Sequence, residues 1–389
     1  MGKDLKGTSS LSKKGAIGLV LSGGGSRAAY QIGALKALAP FIKKDPYPVS
    51  IIVGSSIGAV NGILLSACWR HGIDHAISTV ENLWLKRTYK NSFAGHITKT
   101  FLKAIKIGIM QYLSPAPGPT DDSIFDPTPL VQELDKLIKE NGGTSPSSRH
   151  PDLKSVGVMV TVEGDKRSSM LFLSTAENYP ESIWTGATFD VCYVKELTSK
   201  HGFASAALPS VLPPVEIDTE KGKVRLVDGG ICQNVPVDPA VRMGAERVIV
   251  LDISGRSWWF EQYGKPEDSR PDWEVPADLK TFCLRPPHTL VVKNKLAFGP
   301  ILRDVVGKST AKFISTLGPT WPIYQLLKSR MGEDLAYEVL SYVALDPEYS
   351  RALIDLGYRE TKAILESSED ELPFTYNKSF EDFEKEVRC

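Results

Sequence analysis

Long apolar runs, paired cysteines and a charge imbalance are all missing from this 389-residue chain. No stretch reaches the roughly 18 apolar residues that a membrane-spanning helix needs, so none is expected to cross a bilayer. The five cysteines, Cys68, Cys192, Cys232, Cys283 and Cys389, are widely spaced and form no C-x-x-C pair. An odd, scattered set argues against a disulfide framework or a zinc site, and fits a reducing compartment. Lysine plus arginine equals aspartate plus glutamate, 46 of each, so no global field draws the chain to nucleic acid or to an anionic membrane. The first residues, MGKDLKGTSSLSKKG, carry positive charge without the apolar core of a signal peptide, and Lys6 stands where a myristoylation motif wants Ser or Thr. A cytoplasmic protein is the expectation, with any membrane contact local and peripheral.

What is present starts at Gly54 to Gly58, GSSIG, directly behind the apolar run Ile51-Ile52-Val53. A buried strand stops at glycine, presents Ser56 and restarts as the apolar-periodic segment Ile57 to Trp69. That is the layout of a strained strand-to-helix turn exposing a nucleophile, although a tight turn without chemistry uses the same small residues. Upstream, Ala16 to Leu21 is another apolar run, ending in Ser22-Gly23-Gly24-Gly25-Ser26-Arg27 before the helical spacing of Ala28 to Leu38. Consecutive glycines at a helix start let a ligand approach the backbone, and their N–H groups suit a phosphate or a developing oxyanion. Gly23, Gly25 and Ala28 satisfy a dinucleotide fingerprint in letter, but the next strand lacks the acidic residue a ribose needs. A third turn, Asp228-Gly229-Gly230, follows Val224 to Val227 and places a carboxylate at a strand end, a composition shared with plain Asp-Gly turns.

Between these turns, Asp74 to Leu113 has helical spacing, and its basic part from Lys99 to Leu113 puts Phe101, Ile105 and Ile109 opposite Lys99, Lys103 and Lys106. Such a helix packs on a core or lies at a lipid surface. Val156 to Val162 and Met170 to Leu173 read as buried strands, Phe203 to Val215 as a tightly packed helix stopped by three prolines, and Glu246 to Ile253 as a further strand. Trp258, Trp259, Phe260 and Tyr263 follow it, as an acyl-chain entrance, an interfacial anchor or packing beneath the C-terminal part.

In a parallel sheet the C-terminal strand ends share one edge, and three special turns there form one site. With Ala204 to Val215 and Asn234-Val235-Pro236, the set resembles the patatin-like phospholipase family over roughly residues 16 to 255. The family's glycine-rich loop matches Gly23, Gly24, Gly25 and Arg27, its nucleophile elbow Gly54, Ser56 and Gly58, and its D-G-G/A motif Asp228, Gly229 and Gly230. The resemblance implies a serine–aspartate dyad, Ser56 and Asp228, acting on acyl esters of lipids without a cofactor or metal. Gly23, Gly24 and Gly25 are expected to form the oxyanion hole, with Arg27, Gly54, Gly58, Gly229 and Gly230 in support. Ser22 replaces a common Asp and Ala28 a usual glycine, and neither change removes a reacting group. Arg27 is expected to hold the loop or to meet an anionic headgroup.

A Ser-Asp-His triad would need a histidine after Asp228, and only His288 qualifies. The six histidines are read as surface or capping residues. The expected class is α/β, a three-layer α/β/α fold with a largely parallel central sheet and a mainly helical C-terminal extension. Residues 1–14 are expected to be a flexible arm, 15–255 the catalytic domain and 256–389 the extension packed upon it. The expected activity is hydrolysis of lipid carboxyl esters. A non-catalytic lipid-binding or scaffolding protein and an acyltransferase are the alternatives. A lipid or membrane-surface substrate is the expected partner, with no nucleic acid, and the extension offers a surface for a homodimer or a regulatory protein.

Overall fold

A computed structural model describes residues 16–95, 100, 102–103, 123–164, 168–220, 222–254, 288–293, 297–317, 320–366, 368 and 371–376. The N-terminal arm, most of the basic segment after Lys99 and the aromatic cluster at 258–263 lie outside them.

The described strands form a single sheet. They are β1 (Ile17–Leu21), β2 (Val49–Ser55), β3 (Ser155–Val162), β4 (Ser168–Thr175), β5 (Phe189–Tyr193), β6 (Val215–Thr219), β7 (Gly222–Val227), β8 (Arg247–Asp252), β9 (His288–Lys293) and β10 (Thr375–Tyr376). The spatial order is β10-β9-β8-β1-β2-β3-β4-β5, and the hairpin β6-β7 attaches at β3. Strands β9, β8, β1, β2 and β3 run parallel, while β4 is antiparallel to β3. The central strands are continuous apolar runs because both faces are covered. In β1, Leu19 and Leu21 enter one apolar cluster and Val20 the other. Ile249 and Leu251 repeat the split in β8 against Val248 and Val250, as a side-chain period of two requires.

One face carries α1 (Ala29–Lys44), α2 (Ile57–Cys68), α3 (Ile73–Leu85) and the C-terminal helix Pro347–Leu365. The last crosses α1 so closely that a side chain on Gly33 would strike the Ile354 carbonyl, and one on Gly357 that of Tyr30. The other face is covered more thinly, by the short helix Val237–Arg242 and by Tyr179 and Trp184. The sheet is thus mostly parallel and flanked by helices, as expected.

The C-terminal region is mainly helical, with helices at Phe298–Val306, Thr310–Leu317, Trp321–Met331, Glu333–Leu340 and Pro347–Leu365. It also supplies β9 and β10, which extend the sheet beyond β8. The helical pattern from Asp74 stops at Leu85, and only the four-residue helix Tyr89–Ser92 follows before the described chain breaks. No helix among the described residues is long and apolar enough to cross a membrane.

The expected convergence of three parallel strand ends needs correction. β1 and β2 do end on the same edge, but β7 is antiparallel to β3, with Val227 beside Thr161. The β6-β7 hairpin reaches back over that edge and delivers Asp228 from the opposite direction. A short apolar run shows that a strand is buried but not which way it runs.

Candidate active site

Ser56 lies between β2 and α2 with φ 51° and ψ −133°. For a residue other than glycine, such a backbone costs on the order of 1–3 kcal/mol and persists only where its surroundings hold it. Gly54 ends against Gly58 and Ala59, and any side chain on Gly58 would collide with the Leu21 and Ser22 carbonyls, so α2 begins tight against β1. The Ser56 N–H donates to Ser205 Oγ (2.8 Å), and Ser205 donates in turn to the Met159 carbonyl of β3. The strained turn is tied to its neighbours on both sides, and the positive end of the α2 dipole lies at Ser56.

Ser56 Oγ donates to Asp228 Oδ2 at 2.6 Å, and both residues are buried. The other carboxylate oxygen accepts the Gly230 N–H (2.8 Å). Backbone contacts fix the carboxylate's position: Asp228 N–H donates to the Ala207 carbonyl, and Thr161 Oγ1 donates to the Asp228 carbonyl. Gly229 packs against the Met159 carbonyl, leaving no room for a side chain. Burial pushes the Asp228 pKa up to about 6, against the opposing pull of the bonds from Ser56 and Gly230. Asp228 is thus a stronger base than a solvated carboxylate and is still ionised at neutral pH.

The glycine loop lies beside this pair. The Gly23 N–H donates to the Asn234 carbonyl (3.1 Å), so it is not free to meet an oxyanion, while Asn234 Nδ2 donates to the Gly23 carbonyl (3.4 Å). The N–H groups of Gly24 and Gly25 have no hydrogen-bond partner among the described residues, and both glycines line the cavity that Ser56 faces. Gly25 has φ +58°, and a side chain there would strike the Tyr342 carbonyl. That same carbonyl accepts the Ser26 N–H (2.8 Å).

Arg27 continues this attachment to the C-terminal region. It is buried, with Nε donating to Ser341 Oγ (2.7 Å) and Nη2 to Glu338 Oε1 (2.8 Å) and the Glu338 carbonyl (2.6 Å). Its guanidinium stacks 3.7 Å from the centre of the Tyr342 ring. Of the two roles expected for Arg27, the geometry matches holding the loop: its charge is committed to Glu338 and does not face a headgroup.

Ser56 and Asp228 open into a cavity of about 310 Å³. Away from the pair its wall is largely apolar, including Val60, Phe125, Phe203, Leu212 and Val343. An acyl chain fits such a lining, because each buried methylene gains about 0.8 kcal/mol from leaving water.

None of the described histidine side chains hydrogen-bonds to Ser56 or Asp228. His201 caps the helix Ser199–Ser205 through Thr198, and burial lowers its pKa to about 4. His75 bonds to Asn141. His288 starts β9 beside Arg247, which is level with Ile17 at the start of β1. That lies about 13 Å of strand from the edge carrying Ser22 and Ser56. Its backbone position does not favour the triad.

Four contributors had no clear mark in the sequence: Ser205, Thr161, Asn234 as the clasp on Gly23, and the Glu338 to Tyr342 strap. Asn234 stands in a motif already singled out, and Ser205 in the run of small residues after Phe203. The strap has no signal of its own.

The patatin-like phospholipase family model matches residues 19–241. Patatin-like phospholipase domain-containing protein 7 of Mus musculus is 28% identical over 253 residues, covering 62% of this chain and 14% of that protein. Neuropathy target esterase sws of Drosophila melanogaster is 26% identical over 320 residues, 80% of this chain and 18% of its own length. This chain therefore spans less than a fifth of the length of these relatives. Human GIVD cytosolic phospholipase A2 aligns over 91% of this chain and 62% of its own, with 11% identity and a TM-score of 0.39. The family match runs from within β1 to the helix after Asp228, takes in Ser56 and all three glycine turns, and covers more than half of the 389 residues: this chain belongs to the patatin-like phospholipase family.

Proposed function

We propose that this protein hydrolyses carboxyl esters of lipids through an acyl-enzyme on Ser56. The observation that carries the reading is the 2.6 Å bond from Ser56 Oγ to the buried Asp228 carboxylate at the head of an apolar cavity. Ser56 Oγ attacks the ester carbon as its proton passes to Asp228 Oδ2. The carbonyl oxygen takes up negative charge beside the N–H groups of Gly24 and Gly25 and the start of α2. Collapse of the intermediate breaks the carbon–oxygen bond, and the leaving alcohol takes the proton from Asp228. Water then attacks the acyl group, giving one proton to Asp228, and the free acid leaves as Ser56 recovers that proton.

The apolar cavity supports an acyl chain as the recognised part of the substrate, and such substrates reside in membranes or micelles. A purely binding or scaffolding role has no use for a serine held at strained φ against an ionised base. The test is a panel of lipid and short-chain esters against wild type and Ser56→Ala, together with fluorophosphonate labelling. Labelling of Ser56 and hydrolysis abolished by Ser56→Ala are expected; turnover by purified Ser56→Ala at the wild-type rate refutes the reading.

A further inference from the structure

Asn234 stands beside both reacting residues and lines the cavity with them. A side chain on Gly23 would collide with Asn234 Oδ1 and with the Ser56 Cβ, and one on Gly230 would come within 2.5 Å of the same Oδ1 and 2.9 Å of Asp228 Oδ1. The Asn234 and Asp228 oxygens are therefore at most about 5.4 Å apart, a span that one water can bridge by donating to each. Asn234 Nδ2 donates to the Gly23 carbonyl at 3.4 Å, which settles the orientation of the amide, since the reverse would set two acceptors against each other. Oδ1 accepts no hydrogen bond among the described residues, yet it is not among the buried atoms closed to solvent. The firmer clasp on the glycine loop is the Asn234 backbone carbonyl, which takes the Gly23 N–H at 3.1 Å and does not depend on the side chain.

Release of the acyl group needs a water that is held as well as deprotonated. Once Ser56 Oγ is esterified it no longer donates to Asp228, and the carboxylate is free to take one proton from the water as the water oxygen bonds to the acyl carbon. The second O–H takes no part in that transfer, and a water free to turn about the first bond aims its lone pair at the ester only part of the time. We infer that Asn234 Oδ1 accepts this second O–H and so positions the hydrolytic water against the acyl-enzyme. The bond from the acyl carbon to Ser56 Oγ then breaks, and Oγ recovers the proton from Asp228. The inference rests on the acyl-enzyme reading and deepens it: Asn234 is the residue that makes water, rather than an alcohol, the favoured acyl acceptor. Methanol has a single O–H, which Asp228 takes, and gains nothing from Asn234.

The test divides the acyl-enzyme between the two acceptors. Wild type and Asn234→Ala are given the p-nitrophenyl ester of a medium-chain fatty acid with methanol present, and free acid and methyl ester are measured by mass spectrometry. Asn234→Ala is expected to lower the ratio of acid to methyl ester about tenfold or more. Fluorophosphonate labelling of Ser56 is expected at the wild-type rate, because it needs no water step. An unchanged or raised ratio overturns the inference, since a side chain that only shaped the loop would slow both fates of the acyl-enzyme equally. Asn234→Asp is isosteric and keeps an acceptor oxygen, so its ratio should stay near that of wild type whatever its charge does to the rates; a fall as large as that in Asn234→Ala also overturns the inference. Should Asn234→Ala fail to fold, shown by loss of its melting transition, Asn234→Ser takes its place with the same fall expected. If wild type neither releases p-nitrophenol nor is labelled, the acyl-enzyme reading fails and takes this inference with it. Release and labelling with the same product ratio in wild type and variant sink the inference alone.

Discussion

The two halves of the site are built over very different spans of chain. Ser56 and Asp228 are held by their own turns and by β3, through Ser205, Met159 and Thr161, all within the stretch that matches the family. The glycine loop is held by a strap 311 positions away, where Arg27 meets Glu338 and Tyr342 receives Ser26. That strap lies outside the family match. The proposed reacting pair is thus assembled by strand packing, while the glycine loop proposed to supply the oxyanion donors is tied to the C-terminal region. Damage to the strap should leave the nucleophile in place and weaken the stabilisation of its intermediate.

The largest effect belongs to the pair. Ser56→Ala is expected to lower ester hydrolysis at least about a thousandfold with the melting curve unchanged, read by steady-state assay and circular dichroism. Asp228→Asn removes the base and should reduce kcat/KM by about 10²–10⁴. In wild type, activity should rise with pH through an apparent pKa near 6, the point at which Asp228 loses its proton. Stability moves the other way. Asp228 holds its proton to about pH 6 when folded and to its ordinary 3.8 when unfolded, so folding takes up a proton between those values. The chain therefore loses stability as pH rises from 4 to 6, on the order of 3 kcal/mol, and Asp228→Asn should melt higher than wild type at pH 8.

On the loop side, Gly25→Ala meets both a positive φ and the Tyr342 carbonyl. A fall in kcat of about 10²–10³ is expected, the size seen when an oxyanion donor is lost. Glu338→Gln leaves the Arg27 charge buried without its counter-ion, a type of change that typically costs about 3–5 kcal/mol of stability. If the strap positions the loop, kcat drops about tenfold with KM unchanged in the folded fraction, whereas a merely structural strap alters the melting temperature alone. The smallest effect is expected from Tyr342→Phe, which keeps the ring on Arg27 and removes only the hydroxyl bond to the Ser254 carbonyl. A loss of about 1 kcal/mol on unfolding and a less than about threefold change in kcat are expected.

Much of the fold was legible because buried parallel strands need unbroken apolar runs, and β1, β2, β3 and β8 all have them. The strand-to-helix turns were legible because glycine and serine are needed where helices start tight against strands. Strand direction was not: Val224 to Val227 reads the same whether parallel or antiparallel, and only pairing with Thr161 set it. The Gly23 N–H looked like an oxyanion donor by its place in the motif, yet Asn234 occupies it.

By itself, the chain's order of residues marked the candidate reacting side chains, Ser56 and Asp228, and the turns that expose them, since these turns follow from local backbone demands at Gly54 to Gly58 and Asp228 to Gly230. Tertiary structure alone decided what those groups meet. The Ser56–Asp228 bond spans 172 positions and the Arg27–Glu338 pair 311, and closing loops of that length depends on packing across the whole sheet and its helices. Burial, which sets the base strength of Asp228, exists only once that packing is complete.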